Sequence, residues 1–380
     1  MSQDNSLYLS DKWLVLLRPR HAELKKEATE VDMRVKPTAA EIRAARADNP
    51  KLRERDLAVN LGISELELLA AHCGEGVVRL EPRVGDLLRG LEAVGEVMAL
   101  TRNDSAVHEK IGVYDKLSVG EHSILALGEQ IDLRIFPGVW RHAFAVEKRD
   151  ENGVRHSLQF FDRAGDAVHK VHLRPASDVD AYRRLVVAHV SPDQGQQVEV
   201  EPIAPEDDGI SSATVEELRE RWSRLTDTHQ FFGMLRALKL SRREAMRMVG
   251  HDYAWRLDDG AVAAMMHAAA EAAMPIMCFV GNRGCIQIHS GPIASIAPMG
   301  PWLNVLDETF HLHLRTDHIR EVWGVRKPTK EGHVTSLEAY DEGGRMIIQF
   351  FGKRHEGHEE RSDWRDLVEG LPRAAGQSAA

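Results

Sequence analysis

Apolar positions along the chain change period twice, and in the same order each time. From Thr38 to Ala71 they recur at helical spacing. Ser64 followed by Glu67 has the form of a capping box, opening a helix with Leu66, Leu69 and Ala70 on one face. From Val97 to Leu173 short apolar runs (VMALT, SILAL, AFAVE, SLQFFD) are separated by turn signals such as Glu151-Asn152-Gly153 and Ala164-Gly165-Asp166. That pattern predicts an antiparallel sheet. Residues 191–211 are rich in Pro, Gly, Gln and acid, and read as a linker. Helical signals then return: Thr214 with Glu217 caps one helix and Ser241 with Glu244 another. From Ile276 a second set of strands follows, IMCFV, CIQIH, FHLHL, SLEAY and MIIQFF.

Helices followed by a sheet, twice, calls for a test of internal repetition. At an offset of 179 residues Asn103 lies over Asn282, Gly112 over Gly291, Leu133 over Leu312 and Arg141 over Arg320. Val146, Lys148, Ser157-Leu158 and Asp162 with Gly165 fall over Val325, Lys327, Ser336-Leu337 and Asp341 with Gly344. The helical parts are placed on the same register, Leu61 over Leu240, Glu65 over Glu244 and His72 over His251. The expected fold is α+β: two tandem repeats, each with helices and a large antiparallel sheet. Residues 20–190 form the first, 191–211 the linker and 212–370 the second.

A chain of 380 residues with 43% apolar and 28% charged residues suits two globular units. The formal charge of −10 and an aromatic content of 6% argue against nucleic acid and anionic membrane as partners. Cys73, Cys278 and Cys285 form no disulfide or zinc-ribbon pattern, which fits a reducing cytoplasm. The N-terminal residues lack the order of a signal peptide, and no apolar run is long enough to span a membrane.

Few residues carry readable chemistry. His229, in DTHQFF, falls over Pro50 on the repeat register, so only one copy has it. Asp227 or Thr228 can cap a helix with His229 in its first turn. There the imidazole is either a surface side chain or a ligand for a flat apolar molecule, and imidazole is a standard axial ligand of haem iron. Residues 53–74 resemble a helix-turn-helix, but the second helix reads SELELLAA, acidic and apolar, so it is assigned to packing rather than DNA. His311 and His313 share a strand face and read as a polar pair. Arg315, Arg320, Arg326, Lys327, Lys353 and Arg354 cluster late in the chain, and two or three of them converging would make a carboxylate site. No dinucleotide fingerprint, Walker sequence or nucleophile elbow is present.

Several segments in one order carry a family resemblance. ALTRNDSAVHEKIGVY, DTHQFFGMLRAL, FVGNRGCIQIHSGPI, WLNVLD, VRKPTKEGHVTS and FFGKR resemble the cytoplasmic hemin-degrading, or hemin transport, factors of bacterial haem uptake systems. The resemblance implies haem as ligand, His229 as proximal iron ligand and Arg102 as the distal-side arginine. It implies Arg242, Lys327 and Arg354 as cationic haem contacts, and Phe279, Gln349 and Phe351 as pocket wall. It also implies either oxidative opening of the porphyrin with electrons from an external reductase, or delivery of haem to a separate haem oxygenase. A haem import permease complex is a further partner it suggests. Apart from the resemblance, a homodimer could form by sheet or helix packing, and the sequence does not decide it. One haem per chain is expected at His229; a second would need another ligand, for which His108 and His142 are the candidates.

Overall fold

The computed structural model describes residues 36–151, 153–203, 211–354 and 357–375. Asn152, the first sixteen residues of the expected first repeat (20–35) and part of the expected linker (204–210) lie outside them. The described chain divides into two compact units. One holds residues 36–101 and 110–203; the other holds 102–109 and 211–375. The short stretch from Arg102 to Glu109 thus belongs to the same unit as the second repeat.

The first repeat runs α1 (Ala39–Asp48), α2 (Glu54–Leu61), α3 (Glu65–Ala70), β1 (Val77–Leu80), α4 (Val84–Val94), β2 (Val97–Arg102), β3 (Ala106–Gly112), β4 (Leu117–Val119), β5 (Ile124–Leu127), β6 (Asp132–Ile135), β7 (His142–Asp150), β8 (Gly153–Phe161), β9 (Ala167–Leu173) and α5 (Val179–Ala188). Its strands pair antiparallel in the order β1-β7-β8-β9-β2, with a separate meander β4-β5-β6. The Ser64–Glu67 capping box forms as expected, and Gly62 ends α2 in the left-handed region at φ 68°. The segment resembling a helix-turn-helix is a packing element. Leu66, Leu68, Leu69 and Ala70 of α3 are buried, and Glu67 pairs with Lys36. Residues 191–201, read as linker, lie along this unit. Arg79 bonds Asp193 and the Gly195 and Gln197 carbonyls, and Val198 and Val200 pack on its core.

The second repeat runs α6 (Val215–Ser223), α7 (Gln230–Leu238), α8 (Arg242–Val249), β10 (Ala254–Leu257), α9 (Ala261–Glu271), β11 (Ile276–Gly281), β12 (Cys285–Gly291), β13 (Ile296–Met299), β14 (Trp302–Leu306), β15 (Phe310–Arg315), β16 (Glu321–Thr329), β17 (Gly332–Tyr340), β18 (Met346–Gly352) and α10 (Ser362–Glu369). Its order is β10-β16-β17-β18-β11-β12, with the meander β13-β14-β15. The apolar residues of α9 and α10 share one core with the sheet. Those of α6, α7 and α8 share another with Trp323, Val325 and Tyr340.

The repeat is exact in its strands and shifted in its helices. β2, β3, β7, β8 and β9 each begin 179 residues before β11, β12, β16, β17 and β18. Even the bulges match, one at Phe160/Phe161 and one at Ala339/Tyr340. Ahead of β2 and β11, however, the offset is 177: the cap Ser64 answers Ser241, and Val77 at the start of β1 answers Ala254. The two extra residues lie between α9 and β11, where Ala273 turns the chain with φ 46°. The matches of Leu61 with Leu240, Glu65 with Glu244 and His72 with His251 are therefore coincidences of a strand register carried too far. His229 stands opposite Leu52 rather than Pro50, so the first copy still lacks an equivalent histidine.

Candidate functional site

Helix α7 forms because Phe231, Phe232, Met234, Leu235 and Leu238 fall on one buried face. His229 is its N-cap residue rather than a first-turn residue. The carboxylate Oδ1 of Asp227 accepts the His229 backbone N–H at 2.7 Å and lies 2.7 Å from its Nδ1. A carboxylate at Nδ1 favours the tautomer with the ring proton there, which makes Nε2 the basic nitrogen. The His229 side chain is partly exposed.

Adjacent strands β16 and β17 carry Lys327 and, nine and eleven residues later, Ser336 and Glu338. Along β17 the alternation of Ser336-Leu337-Glu338-Ala339-Tyr340 sets Ser336, Glu338 and Tyr340 on one face. Glu338 is fully buried, and five side chains converge on it. Arg242, the first residue of α8, grips it with two nitrogens, Nε donating to Oε2 at 2.6 Å and Nη2 to Oε1. Lys327 Nζ donates to Oε1 at 3.0 Å and to Ser336 Oγ at 2.9 Å. Ser336 Oγ and Gln349 Nε2 donate to Oε1 at 2.6 and 2.8 Å, and the Tyr340 hydroxyl to Oε2 at 2.6 Å. Burial alone would raise the Glu338 carboxyl, but Arg242 and Lys327 outweigh it and hold it well below the usual carboxylate range. Burial lowers the Lys327 ammonium to about 8, which leaves it charged at neutral pH. Two cations against one carboxylate make a buried cluster with one surplus positive charge.

Aromatic rings flank the cluster. Phe231 lies 5.0 Å from the Arg242 guanidinium and 5.1 Å from Lys327 Nζ. Phe351 lies 5.6 Å from Lys327 Nζ and meets Phe279 edge-on at 5.2 Å. Phe279 is in register with Gln349 across β11 and β18. Contacts therefore gather Arg242, Lys327, Gln349, Phe351 and Phe279, with His229 two residues from Phe231.

Arg102 closes β2, and the turn after it is anchored on β11, β18 and the turn that follows β11. Asn282 Nδ2 donates to the Arg102 carbonyl at 2.9 Å, while Asn103 Nδ2 donates to the carbonyls of Gly281 and Ile347 at 3.2 and 2.8 Å. Asp104 pairs with Arg345 at 2.7 Å. The repeat counterpart of Arg102 is Gly281, so the arginine, like the histidine, is present in one copy.

The other late cations go elsewhere. Arg315 pairs with Asp317, Arg320 donates to the Asp317 and Ile319 carbonyls, and Arg326 pairs with Glu369. Arg354 follows β18, partly exposed, with no ion-pair partner among the described residues. His311 and His313 take separate partners, Glu109 at 3.1 Å and Asn304 at 2.7 Å. His108 is buried beside Phe310, and His142 is half-buried with its imidazolium disfavoured by burial and by Arg79 and Arg141. Sequence reasoning missed Glu338, and it read Asp227 as a helix cap where the structure makes it the partner of His229. An acid inside the apolar run SLEAY was a visible signal for the first.

A model of the haemin-degrading HemS.ChuX domain matches residues 62–189 and again 239–371. The chain belongs to this family. The two matches begin 177 residues apart, on the helix register, at the left-handed residues Gly62 and Lys239. The hemin transport protein HemS of Yersinia enterocolitica is 41% identical over 325 residues, spanning 85% of this chain and 94% of the relative. The solved structure of holo-PhuS, a heme-binding protein from Pseudomonas aeruginosa, is 43% identical with a TM-score of 0.86, covering 89% of this chain and all of that one. ChuS, described as an E. coli heme oxygenase, is 35% identical with a TM-score of 0.78, covering 86% and 98%. His229 lies between the two HemS.ChuX matches. Among the described residues no helix is long and apolar enough to cross a membrane.

Proposed function

We propose that the protein binds one haem as cargo in haem iron use, with His229 as the residue that would hold the iron and Arg102 as a second residue that would contact the haem. The single observation that carries this reading is the Asp227–His229 hydrogen bond at 2.7 Å, the carboxylate–imidazole pairing that orients a metal-binding histidine and makes Nε2 its basic nitrogen. Phe279 and Phe351 supply an apolar wall, and the Lys327–Arg242 cluster supplies a surplus cation for a carboxylate. The haem iron supplies the oxygen chemistry, and its electrons come from an external reductase. Arg102 would bring a guanidinium of constant positive charge, which holds its protons and so orients rather than transfers them. The favoured outcome is oxidative opening of the porphyrin with release of iron.

A second reading, transfer of haem to a separate oxygenase in the cytoplasm, is supported by the same chemistry. Arg102 cannot act as a general acid, and Glu338 is already ionised and paired. The test is a visible titration of the apo-protein with hemin beside His229→Ala. A saturable Soret shift at one equivalent, altered in the variant, supports the site; identical spectra for both proteins overturn it. Sustained loss of the Soret band with reductant, oxygen and catalase then separates turnover from transfer.

A further inference from the structure

We infer that Glu338 is a positioning residue for a ligand carboxylate: it presents Lys327 and Gln349 along the Phe279–Phe351 wall and remains satisfied when they turn to the ligand. The inference rests on the haem reading above and adds a residue to it. The geometry behind it is an imbalance of donors. Six donor atoms surround the two oxygens: Arg242 Nε and Nη2, Lys327 Nζ, Ser336 Oγ, Gln349 Nε2 and the Tyr340 hydroxyl. A carboxylate has roughly four lone-pair sites. The cluster is therefore overfull of donors, the reverse of what a buried carboxylate usually faces.

The six are not equally committed. Arg242 binds through two nitrogens and is packed against the faces of Phe231 and Phe232, at 5.0 and 5.3 Å. Ser336 and Tyr340 lie on the same strand as Glu338 and move with it. Lys327 and Gln349 come from the strands on either side. Lys327 is 5.6 Å from the Phe351 ring, and Gln349 is in register with Phe279. These two can be shared with an incoming carboxylate while Arg242, Ser336 and Tyr340 keep Glu338 paired. Only an anion gains from this, because the cluster already holds one positive charge more than negative.

Glu338 also keeps Lys327 charged. The ionisable groups acting on the ammonium are Glu338 on β17, Arg242 on α8 and the more distant Glu360. Without Glu338 the ammonium would be buried facing Arg242, and its proton would be lost at lower pH.

The test compares hemin with hemin dimethyl ester, whose carboxylates are blocked, on the full chain and on Glu338→Gln. The wild type is expected to prefer hemin by on the order of tenfold, evenly between about pH 6 and pH 7.5. Glu338→Gln should bind the ester as the wild type does but lose the preference for hemin, and the loss should grow as pH rises. A merely structural role would weaken both probes together. If Glu338→Gln does not fold, Lys327→Met retains the Arg242–Glu338 pair, and it too should lose the preference. An unchanged hemin-to-ester ratio in either folded variant overturns the inference and leaves the haem reading intact. No saturable binding of hemin by the wild type overturns the haem reading, and the inference with it.

Discussion

Asp227 gives the sharpest test of how His229 is prepared. One carboxylate oxygen lies 2.7 Å from both the backbone nitrogen and Nδ1 of His229, so it fixes the start of α7 and the imidazole together. Asp227→Ala removes both contacts. The lost bond to the His229 backbone N–H, in the turn ahead of the cap, costs about 1 kcal/mol of stability. Loss of an outer partner of a metal-ligating histidine weakens metal binding by roughly 10- to 100-fold, or about 1.4–2.7 kcal/mol. Asp227 is 43% exposed, and water can replace part of what it supplies, so the lower end applies: about tenfold. Asp227→Asn keeps an acceptor oxygen and loses only the charge, so its loss should be smaller than that of alanine. The assay is a hemin titration of the three proteins beside His229→Ala, with urea unfolding of the apo forms as a control. If His229→Ala abolishes saturable binding while Asp227→Ala stays within about twofold of the wild type, the hydrogen bond does not prepare the ligand and the reasoning fails.

Three further outcomes are expected. If Arg102 contacts the haem as proposed, Arg102→Ala should change the visible spectrum of the hemin complex while leaving affinity within about threefold; a hemin titration reads both. The Glu54 carboxyl, despite a burial cost, is held at about 2 by Lys170 and Lys148, so its contribution is full above pH 4.5 and lost as pH falls toward 2. Glu54→Gln should remove up to about 3 kcal/mol at pH 7 and flatten urea-unfolding stability across that window. Gly352→Ala would set a Cβ 2.6 Å from the Trp364 ring, and should lower stability by about 1–3 kcal/mol, seen as a lower Tm.

The strands were legible in the sequence because hairpins fix their own length: a turn and a bulge at matched positions leave no room for slippage, so one offset runs from β2 to β9. The helices were legible as elements, through the Ser64–Glu67 and Ser241–Glu244 boxes, but not in register. A two-residue difference in the connection before β11 costs little and leaves no signature. At the site, Lys327 could be seen as one cation among many, yet nothing local distinguished it from Arg326. What separates them is strand parity: Lys327 turns to Ser336 and Glu338, while Arg326 turns to Glu369 on α10. The partner of a buried charge lies on the next strand, beyond the reach of spacing arguments.

The duplication shows how one frame came to hold different chemistry. On the strand register Lys148, Ser157, Gln159 and Lys170 stand where Lys327, Ser336, Glu338 and Gln349 stand; on the helix register Glu54 and Glu65 stand for Phe231 and Arg242. In the first repeat the counter-charges come from the helices: Glu54 meets Lys148 and Lys170, and Glu65 meets Lys170. Each such pair ties helix to sheet, with acid and base from opposite sides. In the second repeat the carboxylate has moved onto the sheet itself, as Glu338, and its cations gather around it. The helix is then free to contribute a phenyl ring at Phe231. Lys148 remains 44% exposed, whereas Lys327 is 3% exposed beneath aromatic rings. Moving one acid from helix to strand thus converts a helix-to-sheet clasp into a cation-rich floor under an aromatic wall, and only that copy has His229 at its edge.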